Sequence, residues 1–156
     1  MLARAINALC LGGGGGTQAE AHPPGNVCYR GGGFDDKYRD FFCRGRAFRQ
    51  PSYLATSFEQ SIAEEFLGRA TAEPPARVLW RIHIDPVQKC RHVNLVCKRV
   101  PDLPDEREYL FAPYSAFRVR AVAWRAGTAE QPHIIDLEAA VDNIGPSEDL
   151  PLAPWA

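Results

Sequence analysis

The chain has 156 residues, 46% of them hydrophobic and 24% charged, with a formal net charge of −1. This length suits one domain with a substantial core. The near-neutral charge argues against nucleic-acid binding, which usually needs a strongly basic surface, and no apolar run approaches the ~18 residues that span a membrane. The five cysteines are irregularly spaced, which favours reduced thiols over a disulfide framework.

Both ends of the chain are predicted to extend from one folded domain. Residues 12–16 are consecutive glycines, and polar residues and prolines follow them, a composition typical of linkers. The far end is again rich in proline. The sequence therefore predicts a flexible segment at residues 1–25, a folded domain at residues 26–144 and a tail at residues 145–156.

Strand patterns dominate the domain. Alternating or short apolar runs occur at residues 27–29, 53–58, 77–85, 92–97, 108–112, 116–124 and 133–137. In the run 116–124, alternation is expected to place every second residue from Phe117 to Ala123 on one face. Many strands with few helices indicate an α+β fold with antiparallel or mixed sheets.

Two segments have helical patterns. Residues 35–49 carry aromatic residues amid charges and predict a helix followed by a turn. Residues 59–69 predict a second helix, which Ser57 or Ser61 can cap. Its apolar face comprises Ile62, Ala63, Phe66 and Leu67. Residues 98–105 contain two prolines and predict a loop.

Three short strings carry residues suited to chemistry. The first is Tyr29-Arg30-Gly31. An arginine presents a fork of donors that suits phosphate oxygens, and a glycine lets a ligand approach the backbone. No P-loop lysine follows, so a triphosphate site is not indicated. The alternative is a salt-bridged arginine before a flexible turn.

The second string is Ala55-Thr56-Ser57, and the third is Glu106-Arg107-Glu108. Hydroxyls in a strand can bond a ligand or a catalytic side chain, or serve as sheet filler and helix caps. Carboxylates at i and i+2 of a strand point to one side. They suit chemistry at a sugar carbon that develops positive charge, or they are ordinary surface charges.

Two other functions agree less well with the sequence. A glycosidase needs carboxylates that flank the scissile bond, which an i, i+2 pair on one strand does not provide. A zinc-binding interaction domain would draw on Cys90, His92 and Cys97, with His83 and Asp85 nearby. That spacing is not a standard finger, and strand alternation spreads the side chains over two faces, so no metal is predicted.

In their order, the three strings resemble the arginine–serine–glutamate class of mono-ADP-ribosyltransferases, which includes bacterial toxins and eukaryotic ecto-enzymes. The flanking residues resemble the family as well, with Ala63 and Phe66 after the second string and Pro113 and Phe117 after the third. The resemblance covers roughly residues 26–124. It implies an α+β fold with a mixed two-sheet β core and a few flanking helices.

The resemblance also implies roles for single residues. Arg30 would contact the phosphates of NAD, and the backbone of Gly31 would hold the nicotinamide amide. Glu108 would bond the nicotinamide ribose and stabilise its cation, and Glu106 would orient or deprotonate the acceptor. The residues implied to complete the NAD site are Thr56, Ser57 and Phe66.

One position departs from the family. Ala55 stands where the family has a serine that bonds the catalytic glutamate. Either Ser57 or Ser52 compensates, or Glu108 is less well oriented.

The resemblance implies an enzyme that transfers ADP-ribose from NAD to a protein side chain, expected to be arginine, and releases nicotinamide. NAD is then a co-substrate and a protein is the partner. The alternative is an NAD glycohydrolase or a degenerate NAD-binding module with the same fold. The chain is expected to act as a monomer, away from nucleic acid and membrane, either in the cytoplasm or as a secreted or delivered effector.

Overall fold

A computed structural model describes residues 24–69, 76–85, 92–94, 107–140 and 149–154. The predicted loop at residues 98–105 lies outside these ranges. In the described ranges the strands are β1 Val27–Phe34, β2 Ala47–Gln50, β3 Leu54–Ser57, β4 Ala76–His83, β5 His92–Asn94, β6 Glu108–Phe111, β7 Ser115–Ala123 and β8 His133–Ala140. The helices are α1 Gln60–Gly68 and short 3₁₀ helices at Pro24–Asn26 and Asp36–Phe41.

The eight strands form a mixed sheet in the order β2-β7-β8-β4-β1-β3-β6-β5. Strand β4 runs parallel to β8, whereas the other neighbouring strands are antiparallel. The sheet is nearly divided between β1 and β3, because the register there consists of the pair Tyr29 and Ser57. Two blocks of strands thus meet at one point, and the predicted α+β fold with a mixed two-sheet core is confirmed.

The main core lies on one face of this sheet and is largely aromatic. Its fully buried side chains include Tyr109, Phe48, Phe111 and Phe117. The rings of Phe111 and Phe117 meet edge to face at a centroid distance of 5.2 Å, a favoured aromatic geometry. This packing joins β6 in one block to β7 in the other, so the core holds the two blocks together.

Helix α1 packs on the opposite face of the sheet. Ala63 and Leu67 are buried against Leu79 of β4 and Ile134 of β8, as the predicted apolar face requires. The helix begins after Ser57, whose Oγ accepts a hydrogen bond of 3.1 Å from the backbone N–H of Glu59. Ser57 therefore ties the end of β3 to the start of α1.

Helix α1 also lies unusually close to β1. A Cβ atom added to Gly31 would overlap the backbone carbonyl oxygen of Ala63. A Cβ at the neighbouring Gly32 would meet no atom within 4 Å. The absence of a side chain at Gly31 is therefore what allows the helix to rest on the strand.

Two local predictions are wrong. Residues 35–49 contain strand β2 beside the short 3₁₀ helix, since Ala47–Gln50 pairs with β7. In β7, the register with β8 shifts between Val119 and Ala121. This bulge adds one residue and reverses the alternation, so Ala121 and Ala123 are exposed and Val122 packs against the core.

At the far end, the described part of the predicted tail, residues 149–154, includes contacts with β2. Leu152 forms a parallel bridge with Arg49, and the N–H of Ala153 donates to the carbonyl oxygen of Arg49 at 2.9 Å. The domain boundaries stay a prediction.

Within the described ranges, no helix has the length and apolarity needed to span a membrane.

His133, at the start of β8, is fully buried. Its Nδ1 accepts a hydrogen bond from the backbone N–H of Arg125 at 2.9 Å, and its Nε2 lies 2.8 Å from Nη2 of Arg39. Burial and, secondarily, the positive charge of Arg39 lower the pKa of His133 below its usual range. The folded state therefore disfavours protonation of this imidazole.

The Gly31→Ala substitution should destabilise the fold, because the helix must move away from β1. Overpacking of this kind costs ~1–3 kcal/mol. Gly32→Ala is the matched control, and in a strand it is expected to be neutral or to stabilise by ~0.5–1 kcal/mol. Urea unfolding measures both free energies. Equal effects of the two substitutions would show that the approach of α1 to β1 is not restrictive.

Acidification should destabilise the protein partly through His133. Because its pKa is lower in the folded state, the unfolded chain binds the proton first, so stability falls as the pH drops below ~6.5. In His133→Asn, an acceptor remains but this titration is lost. Unfolding free energies between pH 7.5 and pH 5 should decline less steeply for the variant, by at most ~1.4 kcal/mol per pH unit. Equally steep declines in the unfolding free energy of the wild type and the variant would contradict a lowered pKa of His133 in the folded state.

Candidate functional site

A cavity of about 250 Å³ opens where β1 and β3 diverge. It is bordered by strands β1, β3 and β6 and by helix α1. The lining residues are Tyr29, Arg30, Gly31, Ala55, Thr56, Ser57, Ile62, Ala63, Phe66 and Glu108. The three strings, separated by up to 79 positions in the sequence (108 − 29), thus contribute to one cavity.

Arg30 extends across the gap between the two blocks of the sheet. Its Nη1 donates a hydrogen bond of 2.8 Å to the backbone carbonyl oxygen of Ala55 on β3. Burial lowers the pKa of this guanidinium from its usual value. A guanidinium has five N–H donors, so the bond to Ala55 leaves others for an anionic ligand.

Glu108 is the first residue of β6, and it lies directly opposite Ser57 of β3 in the register. Ser57 also lies opposite Tyr29 of β1. Residues paired in this way point to the same side of a sheet, with Cβ atoms ~4.5–5.5 Å apart for neighbouring strands. Tyr29, Ser57 and Glu108 therefore form a row across three strands, and Glu108 is the half-buried carboxylate in it.

Thr56 has a different position in the same strand. Its hydroxyl donates a hydrogen bond of 2.6 Å to the backbone carbonyl oxygen of Tyr109, its register partner in β6. The side chain is buried. Thr56 thus holds β3 to β6, whereas Ser57 lies in the row with Glu108.

Helix α1 supplies the apolar wall of the cavity. Ile62 and Phe66 are one helical turn apart and line the cavity together, since residues at i and i+4 share a helix face. Gly31 of β1 also lines the cavity, beside Ala63 of α1. The cavity therefore has an apolar side and a side with a cation, a hydroxyl and a carboxylate.

The pair Glu106 and Glu108 cannot be treated as neighbours on one strand. Glu106 lies outside the described residues. Arg107 has φ of 45°, a left-handed conformation that is absent from regular strands, and β6 begins at Glu108. The extended strand expected at Arg107 is therefore wrong, whereas the position of the Glu106 carboxylate relative to Glu108 stays a prediction.

Sequence reasoning did not assign a role to Tyr29, Ala55, Ile62 or Ala63, although all four line the cavity. The sequence feature that could have identified Tyr29 is its spacing from Gly31, because residues at i and i+2 share a strand face. For Ile62 the signal was its spacing from Phe66 on the helix. Ser52 is not among the lining residues, and its Oγ accepts a hydrogen bond from Nε2 of Gln50 at 2.9 Å.

Of the residues considered for zinc, the described ranges contain the side chains of His83 and Asp85. Cys90 and Cys97 lie outside them, and only the backbone of His92 is described. Nε2 of His83 lies 3.2 Å from Oδ1 of Asp136, the carboxylate that also accepts two hydrogen bonds from Arg81. Within the described ranges, no group of three potential ligands is placed to hold a metal ion.

No family model matches the sequence, and no curated protein shows significant sequence similarity to it. Solved structures do resemble the fold. The ADP-ribosyltransferase Vis, a toxin from Vibrio splendidus, aligns in a complex with an inhibitor at a TM-score of 0.58 and 22% identity, covering 76% of this chain and 51% of Vis.

Two further structures show the same likeness. Exoenzyme S from Pseudomonas aeruginosa, bound to human 14-3-3 protein beta and carba-NAD, aligns at a TM-score of 0.58 and 15% identity over 96% of this chain and 63% of its own. The ADP-ribosyltransferase HopU1 from Pseudomonas syringae aligns at 0.53 and 17% identity over 74% and 44%. The chain thus spans about half to two thirds of these proteins, and it has the fold of ADP-ribosyltransferases.

Proposed function

We propose that this protein transfers ADP-ribose from NAD to an arginine side chain of another protein and releases nicotinamide. The observation that carries the proposal is the convergence of Arg30, Gly31, Ser57 and Glu108 on one cavity. The shared fold with ADP-ribosyltransferases supports it. A protein as the acceptor, the monomeric state and the location in the cytoplasm or as a secreted or delivered effector stay predictions.

The cavity offers a suitable contact for each part of the nicotinamide end of NAD. The free N–H groups of Arg30 suit the phosphate oxygens, and the backbone of Gly31 suits the carboxamide. Phe66 and Ile62 provide an apolar wall for the nicotinamide ring. A volume of about 250 Å³ is below the ~300–1,000 Å³ of typical ligand sites, so the adenosine would extend beyond it.

In the proposed reaction, the bond between the ribose C1′ and the nicotinamide nitrogen breaks. Its electron pair leaves with the nicotinamide, and C1′ develops the positive charge of an oxocarbenium ion. The carboxylate of Glu108 stabilises that charge, and Ser57, its register partner, holds the carboxylate in place. Such a fixed group is most effective where the charge appears in the transition state.

The acceptor then forms a bond to C1′. An arginine side chain is protonated in water, so its nitrogen must lose a proton as the C–N bond forms, and a neighbouring carboxylate is needed to accept it. Glu106 is proposed for that role. One neighbouring structure, that of Vis, contains agmatine, a small guanidine, which favours a guanidinium acceptor here.

NAD glycohydrolysis is the second candidate. It is favoured by Ala55, which stands where the related family has a serine. If Glu108 supports departure of nicotinamide but the acceptor is poorly held, water attacks C1′ instead and free ADP-ribose is the product. If departure of nicotinamide is not supported either, the protein binds NAD without turnover.

Glu108→Gln should lower the rate of nicotinamide release by ~10²–10³-fold, because the amide cannot stabilise the cation. Glu65→Gln is the matched control, since Glu65 is an exposed residue of α1 outside the cavity. The measurement is nicotinamide release from NAD by the purified protein. Equal rates for wild type and Glu108→Gln, or no release by either, would refute the catalytic proposal.

Agmatine should accept labelled ADP-ribose, whereas cadaverine, an amine of similar length, should not. The physical reason is that a guanidinium presents planar, paired donors to carboxylates and an ammonium does not. Labelled adducts are separated by chromatography after incubation with NAD. Nicotinamide release with free ADP-ribose and no adduct would instead identify a glycohydrolase.

A further inference from the structure

Arg107 holds a backbone conformation that its side chain disfavours. Its φ is 45°, and in the described ranges it shares a positive φ only with Asn26 and Tyr114 among the non-glycine residues. A residue with a Cβ atom persists in this region when its surroundings hold it there. The contacts of Arg107 therefore show which neighbouring groups hold this conformation.

Two contacts join Arg107 to the segment that follows β3. The backbone N–H of Phe58 donates a hydrogen bond of 3.0 Å to the carbonyl oxygen of Arg107. The side-chain Nε of Arg107 lies 3.4 Å from Oε1 of Glu59. The residue just before Glu108 is thus tied, through backbone and side chain, to the start of α1.

A third contact and the strand register also link the segment after β3 to the start of β6. Ser57 lies opposite Glu108, and its Oγ accepts the N–H of Glu59. Residues 57–59 and residues 107–108 are therefore joined by a backbone hydrogen bond, an ion pair and a register pair next to the carboxylate. We infer that Arg107 is a positioning residue, whose ion pair with Glu59 fixes the direction in which Glu108 enters the cavity. This inference rests on the proposed function.

The ion pair is poorly placed to stabilise the fold. The side chains of Arg107 and Glu59 are 43% and 45% exposed, and exposed pairs contribute little to stability. Loss of the pair should therefore change the orientation of Glu108 much more than it changes the free energy of unfolding. That difference separates positioning from a merely structural role.

The test uses charge reversal and exchange. The variants are Arg107→Glu, Glu59→Arg and the combination of both, with Glu59→Gln as a milder loss of the pair at an exposed position. The control is the same exchange in another exposed pair, Arg118→Glu with Glu138→Arg, whose side chains are 3.8 Å apart on β7 and β8. Rates of nicotinamide release and urea unfolding are measured for each.

Arg107→Glu and Glu59→Gln should lower kcat by roughly ten- to a hundredfold, the range for a misplaced catalytic group. The KM for NAD and the stability should change little. The double exchange should recover most of the lost kcat, because the pair is rebuilt with its charges reversed. The control exchange should leave kcat unchanged. Unchanged kcat in the single variants, or no recovery in the exchange, would overturn the inference.

A second readout does not depend on turnover. The ¹³C resonance of the Glu108 carboxyl, assigned by its loss in Glu108→Gln, should move in the single variants and return in the double exchange. A wild type that releases no nicotinamide but shows this movement and return would refute the proposed reaction and keep the positioning role. A resonance that stays in place in all variants would overturn the positioning role alone.

Discussion

The contact between strand β1 and helix α1 is the constraint on which the site depends. The carbonyl oxygen of Ala63 occupies the space that a side chain at Gly31 would need, so the helix lies directly on the strand. This brings Phe66 and Ile62 over the gap beside β3. A larger residue at position 31 would lift the helix and open the cavity on its apolar side.

The gap exists because β1 and β3 share one register pair and then separate, as strands in a strongly twisted sheet tend to do. Arg30 spans the opening through its bond to the carbonyl of Ala55. Removing a cation from water is unfavourable, and the pKa of the half-buried Arg30 is lowered for that reason. Under the proposed function, a phosphate in the cavity would relieve the same penalty, and the residue that joins the two blocks would also bind the ligand.

Much of this arrangement could be predicted from local sequence patterns. The apolar face of α1 predicted the side chains that pack on the sheet or line the cavity, and residues of all three strings line that cavity. Other features depend on long-range pairing. Strand β2 is short and carries the polar Arg49 and Gln50, so its pairing with β7 supplies what its own pattern lacks. The bulge in β7 and the left-handed Arg107 likewise arise from neighbours distant in the sequence.

Ala55 stands where the related family has a serine, and the position of Ser57 explains how another hydroxyl could replace that serine. A serine hydroxyl has two acceptor positions and one proton to donate, and accepting the N–H of Glu59 uses only an acceptor. Under the proposed function, the hydroxyl proton would be donated to the carboxylate of Glu108, which stands in register on the neighbouring strand. Under the proposed function, the orienting hydroxyl has moved two residues along β3, to a position on the same face as Ala55. Under that function, the start of α1 would be part of the support for the carboxylate of Glu108, because the same serine would hold both.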